Sequence, residues 1–103
     1  MSVYAASKAA IDQMSQSLAL ELAPHGITVN QLWPGFVDTD INAVKPGLAT
    51  EEGKRQLIAT IPIGAAATPA DLGAAAVYLC SEAGRVVTGS VVKVDGGQHI
   101  RCI

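Results

Sequence analysis

Tyr4 and Lys8 stand four residues apart in the run Tyr4-Ala5-Ala6-Ser7-Lys8. In a helix that spacing sends both side chains from the same face, about one turn from each other. A phenol and an ammonium then share one small volume, where the positive charge favours the ionised phenol and equips Tyr4 to exchange a proton near neutral pH. The same spacing also serves an ordinary exposed pair that stabilises a helix by a few tenths of a kcal/mol.

The element that must carry the pair has the plainest pattern in the sequence. From Tyr4 to Ala23 the chain is rich in Ala and Leu. Ala6, Ala10, Met14, Leu18 and Leu22 recur every four residues beside Ala9 and Ile11, which predicts a helix over 4–23. Small side chains in its first turns would let another backbone or a ligand come close. Pro24 cannot continue a helix and Gly26 accepts a left-handed turn, so the helix should end there. Ile27 to Trp33, a short run with β-branched residues, predicts a strand over 27–33 that Pro34-Gly35 stops. Phe36-Val37-Asp38-Thr39 then leaves the carboxyl end of that strand, where open α/β sheets bind their ligands.

Residues 40–67 carry no strong strand signal, and Pro46, Gly47, Gly53, Pro62 and Gly64 punctuate them. One or two helical turns begun by Thr50 are expected from Glu51 to Ile61. A connection this long is more often a lid or binding loop than a simple linker. Thr68-Pro69-Ala70-Asp71 is a helix start, with Thr68 as cap, Pro69 at the first helical position and an acid in the third; a helix over 69–83 follows. Ser90 to Asp95 predicts a second strand over 90–95, closed by Gly96-Gly97. Helix, strand, loop, helix, strand is an α/β order, and the first strand, the second helix and the second strand make a right-handed βαβ unit with parallel strands. A two-stranded parallel sheet is too small to stand alone and wants cover on both faces and neighbours on its edges. The single domain 1–103 is therefore expected to be partial.

Half of the 103 residues are apolar, 16% are charged and 4% are aromatic, so the interior must be built from Ala, Val, Ile and Leu. The net charge is -2 with seven basic residues scattered along the chain, which excludes an electrostatic footprint for nucleic acid or an anionic membrane. No apolar run approaches the ~18 residues of a membrane span, and a cytoplasmic location is expected. Cys80 and Cys102 lack metal-ligand spacing and read as ordinary cytosolic thiols, so no metal site is expected. His25, in a helix-ending turn, and His99, in the tail, read as surface residues.

Tyr4-x-x-x-Lys8 opening an Ala-rich helix, Ile27-Thr28-Val29-Asn30, Pro34-Gly35-Phe36-Val37-Asp38-Thr39, Thr88-Gly89 and Val94-Asp95-Gly96-Gly97 together resemble the carboxyl-terminal part of the short-chain dehydrogenase/reductase family. Order and spacing agree over nearly the whole chain. The resemblance implies the carboxyl-terminal part of a doubly wound, Rossmann-like parallel sheet. It also implies an NAD- or NADP-dependent oxidoreductase that moves a hydride between a carbonyl and an alcohol on a small molecule. Tyr4 would be the acid/base. Lys8 would lower its pKa and hydrogen-bond the ribose hydroxyls of the cofactor. Pro34, Gly35 and Val37 would form the turn beside the nicotinamide, where backbone groups meet the carboxamide, and Thr39 would place a hydroxyl near the cofactor. Residues 40–67 would be the substrate loop. The helix from Pro69 and the strand from Ser90 would build a subunit interface, which implies a homo-oligomer.

The sequence also departs from the family's pattern. It holds no glycine-rich strand-turn-helix for the pyrophosphate, and Gly96-Gly97 cannot replace one because no helix follows to offer amides. Neither the residue that selects between NAD and NADP nor the catalytic serine is present, and Ser2 lies too near Tyr4 to match that serine. Two expectations follow. In one, the chain is part of an oxidoreductase and is inactive in isolation. In the other, it is a non-catalytic domain that self-associates through a strand edge and apolar helix faces.

Overall fold

Ala and Leu, strong helix formers, recur from Ala5 to Leu22, and in the computed structural model, which describes residues 1–40 and 44–100, α1 runs Ser2–Leu22. It begins two residues earlier than the pattern predicts. Met1 stands at its cap without a side-chain bond, and the Ala5 N–H donates to the Met1 carbonyl at 3.0 Å. Its serines bond back into the preceding turn: Ser7 Oγ donates to the Tyr4 carbonyl at 2.7 Å and Ser15 Oγ to the Ile11 carbonyl at 2.8 Å. A 3-10 turn at Ala23–His25 follows, and Gly26 closes it with φ of 72°, the left-handed conformation expected of a glycine there.

The packing falls into two compact units. One comprises Met1–Leu32 with Ala76–Val92, the other Trp33–Ala75 with the chain from Lys93 onward. Strand β1 is Gln31–Pro34 and β2 is Val91–Val94, paired in one sheet. The pairing is parallel, because the Gln31 N–H meets the Ser90 carbonyl at 2.9 Å and, four residues on in both strands, the Gly35 N–H meets the Val94 carbonyl at 3.2 Å. The architecture is thus an α/β arrangement with a small parallel sheet, an incomplete Rossmann-like fold.

In the first unit β1 starts four residues later than the sequence pattern predicts. Over Ile27–Asn30 side chains stand in for the backbone ladder. The Val29 N–H donates to Thr88 Oγ1 at 3.1 Å and the Gly89 N–H to the Val29 carbonyl at 2.8 Å. Asn30 Nδ2 donates to the Val87 carbonyl at 2.8 Å, while its Oδ1 accepts the Ser90 N–H at 3.0 Å. Gly89, at φ of 69°, turns the partner backbone out of strand geometry, so regular pairing cannot begin before Ser90. Gln31 Nε2 reaches Asp12 Oδ1 on α1 at 2.6 Å, whereas Leu32 lines an open cleft of about 320 Å³ with Ala76, Leu79 and Cys80. Successive strand residues point to opposite faces, so α1 and this end of the second long helix lie on opposite sides of the sheet.

That helix, α3, runs Pro69–Cys80, shorter than the predicted 69–83. Ser81 adopts an extended ψ of 174° and breaks it, and a 3-10 turn at Glu82–Gly84 follows. In this unit Ala19, Leu79 and Gly84 are buried.

In the second unit the 3-residue spacing of Thr68 and Asp71 forms a closed cap. The Asp71 N–H donates to Thr68 Oγ1 at 3.2 Å, and Asp71 Oδ2 accepts the Thr68 N–H at 2.8 Å and hydroxyl at 2.7 Å. The short helix α2 spans Glu51–Ile58, three residues short of the predicted end at Ile61, with the Thr50 hydroxyl accepting the Gly53 N–H at 3.1 Å. Glu51 and Glu52 suit its amino-terminal dipole, and Glu52 also pairs with Arg55. Among the described residues Ile61 is the buried one of this unit, and the Ile63 N–H donates to the Gly96 carbonyl at 3.1 Å. A Cβ on Gly96 would come within 2.6 Å of Ile63 Cγ2 and 2.7 Å of Ile61 Cγ2, so only a glycine lets these chains meet. Residues 41–43 of the loop and Cys102 lie outside the described residues.

Candidate functional site

On α1 the sequence-predicted pair comes together as its spacing requires. Lys8 Nζ stands 5.5 Å from the centroid of the Tyr4 ring, within range of a cation–π contact. Tyr4 is 62% exposed and Lys8 is exposed too, so phenol and ammonium face an open volume. Among the described residues Lys8 is paired with no carboxylate. Small neighbours, Ala5 and Ala9, keep the surrounding helix surface low. Two hydrogen-bond donors one turn apart are suited to an oxygen-rich ligand such as a sugar hydroxyl beside a carbonyl.

In the second unit Pro34, Gly35, Val37 and Thr39 follow one another at the carboxyl end of β1. Pro34 ends the strand, and the proline has no amide to offer the ladder. Val37 forms a parallel bridge with Ala67: the Ala67 N–H donates to the Phe36 carbonyl at 3.1 Å and the Asp38 N–H to the Ala67 carbonyl at 3.4 Å. Thr39, two residues on, is half-buried. Lys54 of α2 reaches Asp38 Oδ1 at 3.2 Å, which ties the candidate substrate loop to the segment that carries Thr39. Just before the turn, Lys93 Nζ lies 5.4 Å from the centroid of the Trp33 ring.

The turn rests on Asp95, which the Val94-Asp95-Gly96-Gly97 motif marks, and on Gln98, which the sequence pattern does not single out. A Cβ on Gly35 would lie 2.6 Å from Asp95 Cβ and 2.7 Å from Gln98 Oε1, so backbone here is pressed against both side chains. The Phe36 N–H donates to Gln98 Oε1 at 2.9 Å. Asp95 in turn is held from three sides. Its Oδ1 accepts the Gly97 N–H at 3.0 Å, and its Oδ2 accepts the His99 N–H at 2.9 Å and meets His99 Nδ1 at 2.6 Å. Burial pushes the Asp95 carboxyl up, but the amides of Gly97 and His99 together with the His99 ring outweigh it and hold the carboxyl below its usual range. His99 is exposed, as a tail residue should be, yet it is engaged. The one sequence signal for this cluster is the Asp-Gly-Gly turn; nothing in the pattern marks Gln98.

Among the described residues no three or more His, Cys, Asp and Glu side chains are grouped to hold a metal ion, and no helix is long and apolar enough to cross a membrane.

Comparison with known proteins agrees with this architecture. A family model described as enoyl-(acyl carrier protein) reductase matches residues 1–99. The 3beta-hydroxysteroid dehydrogenase 1 of Eggerthella lenta is 44% identical over 97 residues, 94% of this chain and 36% of that protein. Protein FixR of Bradyrhizobium diazoefficiens is 37% identical over 99 residues, 96% of this chain and 33% of that protein. A crystal structure from Beutenbergia cavernae with NADP bound at low occupancy superposes with a TM-score of 0.83 at 42% identity, covering 95% of this chain and 39% of that one. The chain belongs to the short-chain dehydrogenase/reductase family. It spans about a third of the length of the curated relatives it matches.

Proposed function

We propose that the chain is the carboxyl-terminal part of an NAD- or NADP-dependent oxidoreductase that transfers a hydride between a carbonyl and an alcohol, with Tyr4 as acid/base and Lys8 as its activator. The observation that carries this reading is the open Tyr4 and Lys8 pair on α1, whose ammonium faces the phenol ring and is paired with no carboxylate among the described residues. The donor set fits a nicotinamide cofactor, because an ammonium and a phenol can serve a ribose hydroxyl and a substrate oxygen together. When bound, the nicotinamide supplies the hydride to the carbonyl carbon or accepts it from the alcohol. In reduction the Tyr4 O–H gives its proton to the carbonyl oxygen; in oxidation Tyr4 takes that proton back. Lys8 would hold ribose hydroxyls while keeping positive charge beside the phenol. Pro34, Gly35 and Val37 would meet the carboxamide through the backbone, and Thr39 would add a hydroxyl.

NADP in the Beutenbergia cavernae structure supports the cofactor class. A relative named for a steroid substrate shares 44% identity, but residues 40–67 are the part we assign to substrate choice, and they leave the substrate open to any small carbonyl or alcohol. The sequence holds no glycine-rich turn for a pyrophosphate, so the isolated chain is expected not to turn over substrate. The native polypeptide that carries these residues should consume reduced cofactor in the presence of a panel of ketones. Tyr4→Phe should lower kcat by about 10²-fold or more. Full activity in that variant would end the assignment.

A second reading rests on the apolar side chains that the first unit leaves open, among them Ile27, Val77, Tyr78 and Val86. In it the chain is a non-catalytic domain that self-associates through those faces. Sedimentation should then show an oligomer, and a stable monomer with cofactor-dependent turnover in the native polypeptide counts against it.

A further inference from the structure

The Phe36 carbonyl accepts the Ala67 N–H at 3.1 Å, and the segment Val94–His99 supports Gly35 and Phe36 as well. Three contacts do so: the Gly35 N–H on the Val94 carbonyl at 3.2 Å, the close approach of Gly35 to Asp95, and the Phe36 N–H on Gln98 Oε1 at 2.9 Å. The third is the one made by a side chain that could have been otherwise. Gln98 is itself fixed, because its N–H donates to the Asp95 carbonyl at 3.0 Å and because residues on either side of it, Gly97 and His99, are bound by the Asp95 carboxylate. A part-buried amide that loses its acceptor either turns toward water or stays unsatisfied, and in both cases the turn moves.

We propose that Gln98 is a positioning residue: its side-chain carbonyl fixes the Phe36 amide and so holds the Pro34-Gly35-Phe36 turn in the shape that receives the nicotinamide carboxamide. This rests on the reading of that turn as part of the cofactor site. A neutral amide suits the place better than an acid, since the Asp95 carboxylate is close by and already carries the negative charge there. Gln98 acts through the backbone and touches neither cofactor nor substrate in this role.

The test compares Gln98→Met, which keeps the length and removes the carbonyl, with Gln98→Glu, which keeps an oxygen acceptor. In the native polypeptide, Gln98→Met should speed hydrogen exchange at the Phe36 amide by about tenfold, raise the KM for cofactor by about tenfold and leave kcat within about twofold. Gln98→Glu keeps the acceptor but sets a second carboxylate near Asp95, so it should restore only part of both. A merely structural role would lower kcat through loss of folded enzyme and leave KM alone, and that result overturns the proposal, as does unchanged Phe36 exchange in Gln98→Met. If Gln98→Met fails to fold, Gln98→Asn, which draws the amide back by one methylene, reads the same exchange. The two readings fail separately: full activity in Tyr4→Phe removes the proposed chemistry, while Phe36 exchange still decides whether Gln98 holds the turn.

Discussion

Gly84 is buried where the 3-10 turn after α3 folds against that helix, and a Cβ there would lie 2.5 Å from the Tyr78 carbonyl oxygen and 2.9 Å from Leu79 Cα. Both neighbours are backbone, so neither can swing aside. Gly84→Ala is expected to destabilise the fold by roughly 1–3 kcal/mol, measured as a lower urea midpoint with an unchanged slope. Two carboxyls tie stability to acid. The Thr68 hydroxyl and amide hold Asp71 below its ordinary value of 3.8, and Asp95 is held below the same value by the donors that overcome its burial. A carboxyl with a depressed pKa stabilises the fold fully above the unfolded value and loses that contribution as the pH falls through the folded one. Stability should therefore be level above about pH 5 and decline below 3.8. Asp71→Asn and Asp95→Asn should each flatten that decline in acid titrations followed by circular dichroism. At this scale the Thr68 cap was legible in the sequence, because capping is local and its residues lie three apart. The Gln98 contact was not, since it joins residues 62 apart and follows no pattern.

α1 and α3 were legible because Ala-rich runs and a capped start act over single turns. Their ends were less so: Ser81 and its extended backbone cut α3 short of the predicted boundary. The start of β1 escaped prediction for another reason. A β-branched run says that Ile27–Asn30 is extended, but it cannot say that Gly89 diverts the partner and leaves Thr88 and Asn30 to complete the pairing by side chain. Asn30 supplies a donor and an acceptor at once. Asn30→Leu should cost about 2 kcal/mol, because the Val87 carbonyl and Ser90 N–H both lose a partner, and chemical denaturation should show it. Asn30→Asp keeps the acceptor for Ser90 and sets negative charge against the Val87 carbonyl, so it should rescue little.

For the molecule as a whole, the βαβ order and the motif spacings were enough to anticipate the family and the incomplete sheet. The described residues bury few side chains, and large apolar ones such as Leu20, Val44, Ile63 and Val86 remain exposed. A helix with apolar side chains on several faces, as α1 has with Val3, Ile11, Met14 and Leu20, belongs in a covered setting. Sedimentation of the 103-residue chain should therefore show concentration-dependent association. Salt should strengthen that association or leave it unchanged, because apolar contact drives it. What pattern could not provide is the substrate, since the described part of that loop, 44–67, holds a capped short helix and the ion pair of Lys54 with Asp38 and not a periodic motif.

Trp33 is the single tryptophan of the sequence, and it directly precedes Pro34 and Gly35 with Lys93 over its ring. The chain thus has one fluorophore that can be excited apart from Tyr4 and Tyr78, placed next in sequence to the turn assigned to the cofactor. Its emission overlaps the absorption band of a reduced nicotinamide, so quenching of Trp33 with sensitised cofactor emission would report occupancy without any label. Lys93→Met should change the unliganded spectrum, and in Trp33→Phe the signal should vanish.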